Sequence, residues 1–214
     1  MLVRKWMSPD PLTVQADTPV AKAASLMREH TIRHLPVLDG DRLVGVVTDR
    51  DLKEFSPSKA TSLEVHELHH LLLQAKASEA MTKEPLHVAP GDSIEHAARL
   101  MHDHKVGCLP VVGEDGRVVG ILTQEDVFEA LVVVTGARSD TVRLQMTISD
   151  EPGSIKVVAD KVRAQGLKLR SILTTYQGVP EGQRELILRV EGDTSALEGE
   201  LQGGYPDLLV HRGC

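Results

Sequence analysis

Aromatic residues are scarce in this chain: Trp6, Phe55, Phe128, Tyr176 and Tyr205 are the only five among 214. A single-stranded nucleic-acid surface stacks bases on aromatic rings, and any nucleic-acid surface needs a cationic footprint. Net charge is −7, from 24 Lys and Arg against 31 Asp and Glu, so nucleic acid is excluded as a partner. Long apolar runs are also missing. No stretch approaches the roughly 20 apolar residues of a membrane helix, and Met-Leu-Val-Arg-Lys-Trp-Met-Ser-Pro at the start lacks the apolar segment of a secretory signal. Cysteine is limited to Cys108, inside an apolar strand pattern, and Cys214, the last residue, so no structural disulfide is expected. Together these absences predict a cytoplasmic protein without a membrane partner. Apolar content of 41% and charged content of 26% are ordinary for a globular chain. Its length suits one large or two modest domains, each able to bury a core.

What the chain does contain is a repeat. Leu43-Val-Gly-Val-Val-Thr-Asp-Arg-Asp-Leu52 returns as Val118-Val-Gly-Ile-Leu-Thr-Gln-Glu-Asp-Val127, and Met7-Ser-Pro-Asp-Pro-Leu-Thr-Val14 aligns with Met81-Thr-Lys-Glu-Pro-Leu-His-Val88 at an offset of 74. Between these lie two matching helix starts, with Thr18 before Pro19 at the first helical position and Asp92 with Glu95 as a capping box. Ala23 and Met27, and likewise Ala97 and Met101, fall on inward faces at helical spacing. Leu-Pro-Val at 35–37 and 109–111 marks a strand in each copy. Each unit is predicted as β-α-β-β-α, with Phe55 to Ala80 between them as a loop and then a helix from about Ser62 carrying Leu63, Leu68, Leu71, Leu72 and Ala75 on its apolar side.

The Thr-x-x-Asp endings, Thr48 with Asp51 and Thr123 with Asp126, support two readings. One is a helix cap, in which the hydroxyl accepts from a backbone amide and the acid complements the helix dipole. The other is a ligand site, because helix N–H groups suit an anion while a hydroxyl and a carboxylate suit a ribose diol.

A Met-x-x-x-Pro opening, a Leu-Pro-Val strand and a Gly-h-h-Thr-x-x-Asp ending (h, apolar) occur in both repeats and resemble the CBS domain, named after cystathionine β-synthase. That resemblance implies a tandem pair, packed about a pseudo-twofold axis, with two clefts for adenosine-containing ligands such as AMP, ADP or ATP. Thr48 and Asp51 would hold ribose and phosphate in one cleft, and Thr123 and Asp126 in the other. Leu12, His34 and Pro36, with Leu86, Cys108 and Pro110, would lie around base or phosphates. Repeat 1 surrounds its motif with Arg33, His34 and Arg50, whereas repeat 2 has Gly107, Cys108 and Glu125 at the aligned places and Lys105 as nearest base. On charge, the Thr48 cleft would prefer ADP or ATP and the Thr123 cleft AMP, adenosine or nothing, unless Arg50 and Glu125 face solvent.

After a polar segment at 135–140 the pattern changes. Val142, Leu144, Met146 and Ile148 alternate with polar residues, and a helix with Ile155, Val158, Ala159 and Val162 follows the turn Asp150-Glu-Pro-Gly153. Strands near 167–175 and 185–190, a weak helix near 195–201 and a strand at 208–211 complete a ferredoxin-like β-α-β-β-α-β plan. The turn and the plan resemble the ACT domain, in which turn and helix amides meet an amino-acid ligand. By resemblance this involves Asp150, Gly153, Ser154 and Ile155. The fold class is α/β (α+β), with repeat 1 at 1–56, a connecting helix at 57–79, repeat 2 at 80–134, a linker at 135–140 and an ACT-like domain at 141–214. The whole arrangement resembles bacterial acetoin-utilisation AcuB-type proteins.

His66-Glu-Leu-His-His70 matches the zinc-protease pattern His-Glu-x-x-His, but a catalytic zinc also needs a third ligand and a cleft. His102 and His104 are read as cationic groups at a helix end. No catalytic residue, catalytic cofactor or metal site is therefore expected. The expected function is regulatory: a homodimer that senses an adenine nucleotide, and an amino acid in the ACT-like part, and controls an unidentified protein partner or its own assembly. The alternative is an unliganded dimerisation scaffold for a metabolic enzyme.

Overall fold

The computed structural model describes residues 1–55 and 75–213. Most of the expected connecting helix, with Leu63, Leu68, Leu71 and Leu72 and the His66, Glu67 and His70 pattern, lies outside the described residues, as does Cys214; at its expected end Ala75 and Lys76 are not helical, and Lys76 bridges to Pro19. The chain forms two compact units, Met1–Phe128 and Glu129–Cys214.

In the first unit, β1 (Ser8–Pro9), β2 (Val14–Gln15), α1 (Val20–Glu29), β3 (His34–Asp39), β4 (Arg42–Thr48) and α2 (Asp49–Phe55) come from repeat 1. A short helix α3 (Ala77–Ala80), β5 (Thr82–Lys83), α4 (Ile94–His104), β6 (Cys108–Val112), β7 (Val118–Thr123) and the start of α5 (Gln124–Thr135) come from repeat 2. The β-α-β-β-α order holds in both copies, the place of β2 being taken in repeat 2 by a parallel bridge from Val88 to Val111. Apolar side chains at helical spacing bury one face of each long helix: Val20, Ala23 and Met27 in α1, and Ile94, Ala97 and Met101 in α4. They cover strands whose Leu35, Val37, Val47, Leu109, Val111 and Leu122 are fully buried.

The two opening strands change places. β1 of repeat 1 pairs antiparallel with β7 of repeat 2 (Ser8 opposite Ile121, Pro9 opposite Gly120), and β5 of repeat 2 pairs with β4 of repeat 1 (Thr82 opposite Val46, Lys83 opposite Gly45). The sheets are therefore β2-β3-β4-β5 and β1-β7-β6, each finished by the other repeat's opening strand. This explains the motif glycines. A Cβ on Gly45 would lie 2.2 Å from the Met81 sulfur, and one on Gly120 would lie 2.4 Å from the Met7 sulfur, distances no methyl group tolerates. The repeat even extends to backbone strain: Asp10 and Glu84, and Thr31 and Lys105, share left-handed φ angles of 47–55° at the offset of 74.

Both helix starts differ from expectation by one position. Pro19 is the N-cap of α1, because the Thr18 hydroxyl is occupied in the preceding turn, accepting from the Gln15 N–H at 3.1 Å. Ser93, not Asp92, caps α4 by accepting from His96 N–H at 3.1 Å; Asp92 instead accepts from Ala89 N–H at 2.7 Å, and Glu95 takes the Met1 ammonium.

The second unit continues α5 into β8 (Val142–Ser149), α6 (Ser154–Ala164), β9 (Lys168–Thr175), β10 (Gln183–Glu191), α7 (Ser195–Gln202) and β11 (Leu209–Arg212). Its antiparallel sheet has the order β11-β8-β10-β9, the ferredoxin-like arrangement. Leu144, Met146 and Ile148 point from β8 into a core with Val158 and Val162 of α6, Leu186 and Leu188 of β10, and Leu197 and Leu201 of α7. The alternating pattern of Val142 to Ile148 would also suit a strand that extends a sheet across the twofold axis of a homodimer, and the structure corrects this expectation. β8 cannot extend a sheet across a dimer axis, because β10 and β11 already occupy both its edges. The free edges are β9 and β11, each paired on one side only among the described residues.

The strand exchange generates a prediction. Gly45→Ala should cost about 1–3 kcal/mol through overpacking against Met81, and distinctly less in a Met81→Ala background, as measured by urea unfolding. An equal cost in both backgrounds would show that the Met81 crossing does not set the need for glycine.

Candidate functional site

Each motif begins as a self-contained cap. The Thr48 N–H and hydroxyl both donate to Asp51 Oδ2 at 2.8 Å, and the Asp51 N–H returns to Thr48 Oγ1 at 3.2 Å. Thr123 and Asp126 repeat the pattern at 2.7, 2.7 and 3.3 Å. This satisfies the capping reading in full. It also locks each carboxylate rotamer while Oδ1 receives no hydrogen bond among the described residues, so an acceptor is held ready at the strand-to-helix corner.

A cavity of about 520 Å³ opens over the second corner, within the usual range for a small-molecule site. It is lined by Thr123, Gln124, Glu125 and Asp126 from repeat 2, and by Leu12, Thr31, Arg33, His34 and Asp49 from repeat 1. The site is built across the repeats. Leu12 is 40% exposed, which leaves an apolar side chain free to cover a planar ring. Gly107 gives room here: a Cβ on it would sit 3.1 Å from His34 Nε2. The other corner shows the same crossing in its electrostatics. Burial pushes the Cys108 thiol of repeat 2 up to about 12, and the Asp51 carboxylate of repeat 1 adds to that shift. Val46, Cys108 and Ile121 form one apolar cluster between the two.

The charge map differs from the one expected. Arg33 is ion-paired with Glu125 of repeat 2, and with His34 it lines the Thr123 cavity rather than surrounding the Thr48 motif alone. The β3 start faces the β7–α5 corner across the repeats, so aligned sequence positions do not share a cleft. Burial, and then the Arg33 charge, hold the His34 pKa below its ordinary value, with Asp49 and Asp51 opposing. Arg50 is exposed and absent from the cavity lining. Pro36 and Pro110 are buried within β3 and β6 and also do not line it, whereas Leu86 is exposed at 36%. Thr31, Asp49 and Phe128, which line the cavity, were not among the expected residues. Thr31 is marked only by its left-handed backbone, which no sequence pattern announces.

In the second unit the turn Asp150 to Gly153 leads into α6, with Gly153 in the left-handed region at φ 95°. Asp150 is neutralised by Arg184 at 2.8 Å and accepts from the Tyr176 hydroxyl at 3.1 Å. The Ser154 hydroxyl is buried without a hydrogen-bond partner among the described residues, and Ile155 is half-buried over the core. Among the described residues no group of three or more His, Cys, Asp or Glu could hold a metal ion, and no helix is long and apolar enough to cross a membrane.

The CBS domain family matches residues 3–58 and 77–133. The chain belongs to the CBS-domain family. A CBS domain-containing protein of Dictyostelium discoideum is 32% identical over 135 residues, covering 63% of this chain and 93% of that one. An inosine-5′-monophosphate dehydrogenase of Korarchaeum cryptofilum is 34% identical over 146 residues, 68% of this chain. This chain spans only 28% of that dehydrogenase. Among solved structures, CBSX2 crystallised with AMP is 34% identical with a TM-score of 0.52, covering 62% of this chain and 97% of that one; CBSX2 comes from Arabidopsis thaliana. The CBS domain pair of MJ0100, in complex with 5′-methylthioadenosine and S-adenosyl-L-methionine, is 26% identical with a TM-score of 0.51 over 61% of this chain and 99% of that one. A Vibrio cholerae chain assigned to acetoin utilisation (AcuB) is 29% identical, with a TM-score of 0.52 over 64% of this chain and 95% of that one.

The burial of Cys108 predicts its chemistry. With a pKa of about 12, roughly one thiol in ten thousand is thiolate at pH 8. A Cys214→Ser variant should therefore resist a thiol reagent at pH 8 while folded and react once denaturant returns the thiol to its ordinary pKa. Rapid labelling of the native protein would contradict the burial.

Proposed function

We propose that this CBS pair is a regulatory sensor of an adenine nucleoside or nucleotide, bound with its ribose on the Thr-x-x-Asp corner and its base against the apolar side chain of the crossing opening segment. The observation that carries this is the cavity uniting Asp126, whose Oδ1 is available, with Leu12 and the α5 start. The bound AMP, methylthioadenosine and S-adenosylmethionine of the neighbouring CBS structures support the ligand class. The Asp51 corner, whose carboxylate acts on the Cys108 thiol, is the second site under this proposal. The protein acts without catalysis of its own, by altering a partner in the cytoplasm. The AcuB likeness supports a metabolic partner, with acetoin utilisation as the setting we propose.

The second unit is proposed as an ACT-like module that takes a small amino acid at the α6 start, where the Ser154 hydroxyl lacks a partner and Arg184 offsets Asp150. The glycine-led helix start presents amides to a carboxylate. Phe128, Leu131 and Val134 stand exposed at helical spacing on α5, which favours a homodimer that covers them.

A thermal-shift series on the full chain tests the reading, with adenosine, AMP, ATP, S-adenosylmethionine and a set of amino acids. A true ligand stabilises the fold by about 2.7 kcal/mol at 100 times its Kd, and Asp126→Ala should remove most of that gain. The absence of any shift at millimolar concentrations would favour the scaffold reading instead. Light scattering should give twice the 23.3 kDa chain mass for the homodimer, and the monomer mass would count against it.

A further inference from the structure

The nucleoside reading leaves open what the cavity does with a ligand's 5′ group, and the lining charges decide this. Three carboxylates, Asp49, Glu125 and Asp126, line the space with one guanidinium, that of Arg33; Asp49 is paired in turn with Lys53 at 2.9 Å, which leaves an excess of one negative charge. Glu125 is ion-paired with that guanidinium through Nη2 and offsets its charge. His34 adds little positive charge, since burial and Arg33 both oppose its protonation. The positive end of the α5 dipole would attract an anion, but Glu125 and Asp126 sit in the first turn and offset it.

We propose that Glu125 is a specificity-determining residue: by neutralising Arg33 it makes this cavity accept adenine nucleosides whose 5′ group is uncharged or cationic, such as a thioether or sulfonium, and disfavour 5′-phosphates. The inference rests on the cavity being an adenine-nucleoside site. A phosphate entering here meets an excess of carboxylates, whereas a sulfonium is attracted by the same excess. Both partners of the ion pair are largely exposed, with side-chain accessibilities of 59% and 72%, so the pair adds little to stability and its removal leaves the fold intact. Its effect is on the local potential, which is felt at distances within the Debye length.

Calorimetry on the full chain tests this with adenosine, AMP and S-adenosylmethionine as probes, at low and at physiological salt. The proteins are wild type, Glu125→Gln, and Glu125→Gln with Arg33→Gln. Each is also made in an Asp51→Ala background, so that the remaining binding reports this cavity alone; if that background is unstable, the single variants still report it, because Glu125 lines this cavity. Wild type should bind adenosine and S-adenosylmethionine more tightly than AMP. Glu125→Gln should tighten AMP about tenfold and weaken S-adenosylmethionine by a similar factor, with a larger change at low salt, while adenosine stays the same. Adding Arg33→Gln should erase the AMP gain. Tighter binding of AMP than adenosine by wild type, or no response of AMP to Glu125→Gln, would overturn the proposal while leaving the nucleoside reading intact. Failure of all three probes to bind any protein would instead remove the nucleoside reading, and this proposal with it.

Discussion

The first unit depends on one steric requirement: the opening segment of each repeat crosses the β-strand of the other at a glycine. Met81 lies where a Gly45 side chain would begin and Met7 where a Gly120 side chain would begin. Two residues of pairing on each side, Ser8–Pro9 with β7 and Thr82–Lys83 with β4, form the ladder of this crossing, each followed by one further backbone bond, Asp10 N–H to Val119 O and Glu84 N–H to Val44 O at 3.3 Å. Such short strands carry little hydrogen-bond energy by themselves. The close fit of methionine over glycine supplies the remaining specificity. Neither repeat completes its sheet without the other.

From this crossing follows the composition of the cavity. Residues that continue from the opening strand, Pro11 and Leu12, are delivered to the other repeat's Thr-x-x-Asp corner. The cap and the proposed ligand site are then the same atoms in two roles. One carboxylate oxygen stabilises the helix start, and its rigid attachment to the threonine fixes where the second oxygen lies. Preorganisation of this kind lowers the entropy lost on binding. The ion pair of Arg33 with Glu125 belongs to the same geometry, since only a crossed arrangement brings the β3 start of one repeat against the α5 start of the other.

Much of this was legible in the sequence. The doubled motif announces two strand-to-helix corners, and the inward positions of Ala23, Met27, Ala97 and Met101 follow from helical spacing alone. The ferredoxin-like order of the second unit follows from the period-two alternation of β8 and the helical pattern after Gly153. Other features were not legible because they depend on contacts distant in sequence. The alignment of Arg33 with Gly107 is correct as a repeat, yet it says nothing about which corner each faces. The same holds for β8, whose alternation reveals one buried face but not that both edges are paired. Pro19 and Ser93 show a smaller limit: competing side-chain bonds at Gln15 and Ala89 move each helix start by one residue.

Disulfide trapping of the strand exchange tests the central claim most directly. Directly opposed residues in an antiparallel pair have Cα atoms about 4.5–5.5 Å apart, inside the range a disulfide spans. In a background with Cys108→Ala and Cys214→Ser, Ser8→Cys with Ile121→Cys should oxidise to an intramolecular cross-link, because β1 lies on β7 of the other repeat. Ser8→Cys with Val46→Cys, the aligned position of its own repeat, should not. A cross-link in the second pair and none in the first would mean that each opening strand stays with its own repeat, and would contradict both the crossing and the composite cavity built on it.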